Sequence, residues 1–236
     1  MNMEQQKVPK HVGIILDGNR RFSKRLMLKP WMGHEWGAKK VEQVFDWIKE
    51  IGIHEITLYA FSIENFNRPK IEFDYLMKVF TKEFDILLND ERVHKDKVRI
   101  NFIGRIEMFP KELHESMLKL MDMTKDYDGY IVNLAMAYGG RAEIIDATKK
   151  IAEKIKTGEL DINQINEEVF SKNLYIDSEP DLIIRTSGEQ RTSGFLLWQG
   201  SYAEFHFSQK LWPEFEKEDL VKAIADYNNR ERRFGK

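Results

Sequence analysis

The chain of 236 residues contains no cysteine, which excludes disulfides, thiolate catalysis and zinc–thiolate sites. It has no uninterrupted apolar run near the ~20 residues that cross a bilayer. Its polar start, "MNMEQQKVPK", lacks the apolar segment of a secretory signal. An excess of one charge is missing as well. The formal net charge is −2, so no global positive field points to nucleic acid, and any anion site must come from locally placed arginines. No GxxxxGK(S/T) run suggests a nucleoside triphosphate and no GxGxxG suggests a dinucleotide. The 6 histidines are scattered, and only His34 lies near a candidate motif. Repeats, low-complexity tracts and Pro/Gly/Ser linkers are absent, which predicts a single domain over 1–236 with a flexible leader at 1–9.

What is present suits one large core: 42% of residues are apolar and 15 are Phe. Short β-rich runs, Val12–Leu16, Glu55–Phe61, Val98–Ile103, Tyr130–Ala137, Leu182–Thr186 and Glu204–Phe207, alternate with apolar residues at helical spacing. That alternation predicts an α/β fold with a mostly parallel central sheet of about six strands flanked by helices. Ligands on such sheets sit beyond the carboxyl ends of the strands.

Three strand ends carry unusual chemistry. The first runs into "LDGNRRFSKR". Gly18 permits a tight turn, Asn19, Arg20 and Arg21 offer donors to an anion at a helix start, and Asp17 suits a metal rather than a phosphate. The same stretch also reads as a helix cap with a solvated basic face. The second end, "AFSIENFNRPK", offers Ser62, Glu64, Asn65, Asn67 and Arg68, or simply a polar turn closed by Pro69. The third, "DLIIRTSGEQRTSGF", sets Arg185 and Arg191 around Ser187 and Gly188, with Ser193 following, a pattern suited to a diphosphate. Downstream, Glu204 stands between apolar neighbours, where it needs a metal or a buried arginine partner. These residues together point to a diphosphate-handling α/β enzyme.

Taken in order, "HVGIILDGNRR", "GHEWG", "LYAFSIENFNRP", "DLIIRTSGEQRTSGFLLWQGSYAEFHF" and "LWPEF" resemble the cis-prenyltransferases, the Z-type polyprenyl diphosphate synthases. The resemblance runs from Pro9 to the C-terminus. It implies a homodimer of α/β subunits that adds isopentenyl diphosphate repeatedly to an allylic diphosphate starter, each new double bond being cis. It assigns Asp17 to Mg²⁺ and catalysis, and Gly18, Asn19, Arg20, Arg21, Phe22 and His34 to the allylic diphosphate. Ser62, Asn65, Phe66 and Arg68 match the loop that positions the reacting ends, with Asn65 or a diphosphate oxygen as proton acceptor. Arg185, Arg191 and Ser193 match the isopentenyl diphosphate clamp, and Glu204 a second metal-linked acid. Arg233 and Gly235, in a tail at 228–236, match an Arg-x-Gly element that reaches the neighbouring subunit.

The resemblance further implies a cytoplasmic protein touching membranes through its lipid product. The stripe Phe73, Leu76, Met77, Phe80, Phe84, Leu87 reads as a helix core face or, by resemblance, as the wall of a product tunnel. No paired DDxxD acids of trans-type synthases occur. Arg20, Phe22, Ile63 and "KPWMGH" depart from the bacterial pattern toward archaeal and eukaryotic-type members, so farnesyl and geranylgeranyl diphosphate both stand as starters. The alternatives are a non-catalytic partner subunit, which would lack Asp17 and the arginine clamp, and a phosphohydrolase with Asp17 as nucleophile.

Overall fold

Every residue of β1 (His11–Ile15) is buried, as an apolar run without alternation requires when both sheet faces are covered. The computed structural model describes residues 7–230. Along the chain, β1 is followed by α1 (Asn19–Arg25), α2 (Gly33–Ile51), β2 (Glu55–Ser62), α3 (Lys70–Asn89), α4 (Glu91–Lys95) and β3 (Val98–Ile103). Then come α5 (Lys111–Thr124), β4 (Tyr130–Tyr138), α6 (Gly140–Lys156), α7 (Glu167–Ser171), β5 (Leu182–Arg185), β6 (Glu204–Phe207) and α8 (Lys217–Asn228). The strands form one six-stranded sheet in the order β3-β4-β2-β1-β5-β6, and every pairing is parallel.

The period-two geometry of strands divides the core. Val12, Ile14, Ile56, Leu58, Leu182 and Ile184 face a large cluster shared with α2, α3, α5 and α8. Ile15, Tyr59, Ile183 and Tyr138 face a smaller one closed by Phe195 and Leu196. The chain builds outward from β1 to β2, and later returns to lay β5 on β1's other side. That reversal leaves a crevice beyond the carboxyl ends of β1 and β5. It is the position of "LDGNRR" and of the Arg185 loop.

Within the leader at 1–9, the Lys7 N–H donates to Asn228 Oδ1 at 2.9 Å and the Asn228 amide returns a bond to the Lys7 carbonyl. Val8 packs on the core and Pro9 is buried, so these residues are held by contacts that their sequence does not announce.

Candidate active site

Asp17 and Arg185 form the centre of the crevice. Arg185 ends β5 beside Ile15 of β1, and its guanidinium is almost wholly buried, at 5% exposure. One Nη donates to Asp17 Oδ2 at 2.8 Å; the other donates to the Arg191 carbonyl at 2.6 Å and to Ser193 Oγ at 2.8 Å. Its Nε is buried without a hydrogen-bond partner among the described residues. Asp17 is aimed by its own backbone, because Thr186 Oγ1 accepts from its N–H and donates to its carbonyl at 2.6 Å. Burial alone would raise the Asp17 carboxyl. Hydrogen bonds from Arg185 and Ser187 and the charges of Arg185 and Arg21 outweigh that, so it titrates below the usual carboxylate range. Gly18 turns the chain at φ 115°, where a Cβ would stand 2.9 Å from Leu211 Cβ, so only glycine fits.

Around this centre the arginines meet a carboxylate the sequence analysis does not single out. Arg21 donates to the Ser187 carbonyl and hydroxyl and to Glu189; Arg191, from the other side, also bonds Glu189. Glu189 thus spans an arginine of each proposed clamp. Ser187 and Ser193 adopt left-handed φ values of 82° and 50°. The strain is held by hydrogen bonds from Ser187 N–H to the Lys210 carbonyl and from Arg185 to Ser193.

A second group lies on the other side of Asp17, lining a pocket with Gly18, Asn19, Arg20, Arg21, Lys24, His34 and Arg68. Behind it Glu72, only 1% exposed, accepts from Arg68 Nη1 at 2.7 Å and lies 3.7 Å from Arg20 and 3.8 Å from His34. Arg68 Nη1 is also 3.1 Å from His34 Nε2. Arginine can only donate, so His34 accepts at Nε2 and is neutral there. Burial pushes its pKa down in the same sense, against the raising pull of Glu72. The Arg68–Glu72 spacing of four on a helix start is a readable signal for this anchor. "GHEWG" has a packing reason: Cβ atoms at Gly33 and Gly37 would lie 2.1 Å and 2.5 Å from Asn19 atoms, so α2 can meet α1 closely only with glycine at both.

Ser62 and Asn65 occupy each other. The Ser62 N–H donates to Asn65 Oδ1 at 3.1 Å, and the reciprocal bond completes a capping box at the end of β2. Phe66 packs 5.1 Å from Phe61 and 5.3 Å from Phe109 by ring centroids, within the apolar cluster. Below the anion pocket a narrow apolar cleft of about 170 Å³ runs between α2, α3 and the sheet. Its walls include Val41, Phe45, Leu76, Phe80, Phe84 and Leu87, with Asn19 and His34 at the head. Phe73 and Met77 of the apolar stripe do not line it; Phe73 joins the ring cluster instead.

Glu204 is not brought to Asp17 within one chain. It pairs with Leu182, which pairs with Val12 on the other side. Asp17 lies five residues beyond Val12, about 16 Å along the strands at ~3.3 Å per residue. The Glu204 carboxylate instead accepts from Arg230 Nη1 at 2.5 Å. Arg233 and Gly235 lie outside the described residues. Among the described residues no three His, Asp or Glu converge as a metal cage, and no helix is long and apolar enough to cross a membrane.

Residues 15–235 match the prenyltransferase family model described as "Putative undecaprenyl diphosphate synthase". The chain is 48% identical to a tritrans,polycis-undecaprenyl-diphosphate synthase (geranylgeranyl-diphosphate specific) of Methanocaldococcus jannaschii, covering 99% of this chain and 85% of that protein. A Pyrococcus horikoshii protein of the same name is 47% identical over 97% of this chain and 88% of its own length. Among solved structures, lavandulyl diphosphate synthase from Lavandula x intermedia, in complex with dimethylallyl diphosphate, superimposes with a TM-score of 0.90 at 36% identity, covering 97% of this chain and 98% of that one. A probable undecaprenyl diphosphate synthase from Campylobacter jejuni gives 0.80 at 35% identity, covering 98% and 100%. With its parallel sheet, its arginine-lined crevice and these relatives, the chain belongs to the undecaprenyl diphosphate synthase family and is an enzyme that transfers prenyl groups.

Proposed function

We propose that this chain condenses isopentenyl diphosphate repeatedly onto an allylic diphosphate starter, forming each new double bond in cis geometry and ending in a long, undecaprenyl-like diphosphate. The observation that carries this is the Asp17–Arg185 pair, which joins the Arg185–Ser193 loop to an arginine-lined pocket at the head of an apolar cleft. Geranylgeranyl diphosphate is the preferred starter over farnesyl diphosphate, supported by the specificity in the relatives' names. The alternative of a non-catalytic partner subunit is disfavoured by the joint presence of Asp17, Arg185, Arg191 and Ser193.

Arg20, Arg21, Arg68 and the turn at Gly18–Asn19 take the allylic diphosphate, with neutral His34 beside them. Arg185, Arg191 and Ser193 take the isopentenyl diphosphate. The allylic C–O bond breaks, a C–C bond forms to the isopentenyl carbon, and a proton leaves the resulting cation. The fixed guanidinium groups offset the charge that develops on the leaving diphosphate, at no cost in reorganisation. A single carboxylate plus substrate phosphates is a fitting donor set for Mg²⁺, so Asp17 is the residue that would hold it, and the ion would add to that charge neutralisation. Asn65 is engaged by Ser62, which favours a diphosphate oxygen as proton acceptor. The growing chain lies in the cleft, gaining about 25 cal/mol per Å² of apolar surface buried.

A homodimer belongs to the proposal. Glu204 is too far from Asp17 in its own chain to share its metal, so that role requires a second subunit. The test is a starter panel of geranyl, farnesyl and geranylgeranyl diphosphates with labelled isopentenyl diphosphate, Mg²⁺ and product sizing. Long products from the geranylgeranyl starter are expected. Label remaining in the five-carbon substrate with every starter would refute the reading.

A further inference from the structure

The segment after α1, "KRLMLKPWM" from Lys24 to Met32, takes no part in the chemistry above, apart from Lys24 at the pocket rim. Its tip is a tight turn in which the Met27 N–H donates to the Lys24 carbonyl and the Leu28 N–H to the Ser23 carbonyl. Met27, at φ 58°, is 95% exposed, Leu26 47% and Trp36 of α2 39%. Burying none of these side chains is unfavourable in water, and their grouping at one edge makes a patch rather than scattered singles.

The patch has a mixed character. The Phe22 ring lies 5.8 Å from Trp36, Arg25 sits 6.0 Å over Phe22 and Lys29 5.7 Å over Trp31. Arg25 is paired with Glu214, whereas Lys24 and Lys29 have no ion pair among the described residues. Exposed Leu and Met, a tryptophan at the rim and free lysines form the pattern that seats at a lipid–water boundary. Apolar side chains enter the acyl edge, rings lie at headgroup level, and cations meet anionic headgroups.

Its location is also specific. Lys24 lines the anion pocket with Asp17 and Arg68, and Trp36 lies on α2 between His34 and Gly37, both at the head of the apolar cleft. We infer that the Leu26–Met27 tip, with Lys29 and Trp36, docks on an anionic bilayer surface and holds the cleft mouth against the membrane, where amphiphilic prenyl diphosphates reside. The inference rests on the prenyl-transfer reading for its purpose, but the surface is tested separately. A prenyl diphosphate dissolved in the bilayer presents its headgroup at the plane where these lysines sit, so docking shortens its path to Arg20 and Arg21.

The experiment is flotation of the full chain with neutral phosphatidylcholine vesicles and with vesicles in which about a third of the lipid is phosphatidylglycerol. The wild type is expected to float with the anionic vesicles at low salt and to be released at high salt. Replacing Leu26→Asp together with Met27→Asp is expected to cut the vesicle partition at least about tenfold. Condensation of a short, freely soluble starter should stay within about twofold, since neither residue touches the site. Lys29→Glu should weaken binding to anionic vesicles alone. A wild type that does not float, or a double variant that floats equally well, overturns the inference, and binding indifferent to lipid charge and salt refutes the role of the lysines. A double variant that changes oligomeric state while leaving flotation unchanged assigns the patch to a protein contact and also overturns it. Turnover without flotation counts against this surface alone, and flotation without turnover counts against the prenyl-transfer reading alone.

Discussion

Two acids of unequal exposure organise the site. Asp17 is partly open and Arg185 holds it from within; removing the acid leaves a buried guanidinium without its partner. Asp17→Ala is therefore expected to lower turnover by about 10²–10³ and to destabilise the fold by about 1–3 kcal/mol, with starter affinity changing much less. Steady-state rates beside equilibrium binding of the starter measure that split; intact turnover would remove Asp17 from the chemistry. Glu72 acts at one remove. Its nearby carboxylate raises the His34 pKa against burial and the nearby arginines, so Glu72→Gln is expected to lower that pKa further. The variant should also raise the starter KM more than it lowers kcat, with partial rescue by Glu72→Asp. An NMR titration of His34 reads the first effect; an unchanged pKa would place Glu72 outside its field. The sign for stability follows from linkage. A histidine titrating below its ordinary value binds protons more weakly folded than unfolded, so its contribution is full above about pH 6.5 and declines as pH falls through that window.

At the scale of elements, β1, β2, β3 and β4 are legible in the sequence to within a residue or two, because unbroken β-rich runs are bounded by polar turns. The helices α2, α3, α5, α6 and α8 follow from their apolar period. The helices α4 and α7 are not legible, since five residues show no period of 3.6. The candidate site is half legible. Arg185 and Ser193 are close in sequence and read as a clamp, but the bond from Arg185 to Asp17 spans 168 positions, and no local pattern encodes it. Glu189 is not legible, because a charged residue in a polar loop carries no local oddity. The separation of Glu204 from Asp17 depends on β6 pairing in register with β5, which periodicity cannot supply. The α3 stripe divides between core and cleft in a way only packing decides. Leu87 lies fifteen residues beyond Glu72 on α3, deep in the cleft. At 1.5 Å rise per residue that is about 22 Å from the anion pocket. Leu87→Trp is expected to shorten the products by one or more five-carbon units at nearly constant initial rate, read by product sizing; an unchanged distribution would exclude this wall from contact with the chain.

For the whole molecule, the proposed dimer makes a prediction that a single chain does not. Asp17→Ala chains keep Glu204 and the tail, while chains truncated before Arg233 keep Asp17. If each active site draws on both subunits, mixing the two inactive proteins restores one intact site in each mixed dimer. Recovered activity would then approach about a quarter of the wild-type value, because half the dimers are mixed. A mixture as inactive as its parts would confine each site to one chain. The geometry of bond formation in the Asp17–Arg185 crevice is what distinguishes cis-prenyl transfer from any other chemistry on this fold. The direct measurement is the double-bond geometry of the product made from geranylgeranyl diphosphate and isotope-labelled isopentenyl diphosphate, read by carbon NMR. The expected result is trans geometry in the starter units and cis geometry in every labelled unit; labelled units that are trans would contradict the account.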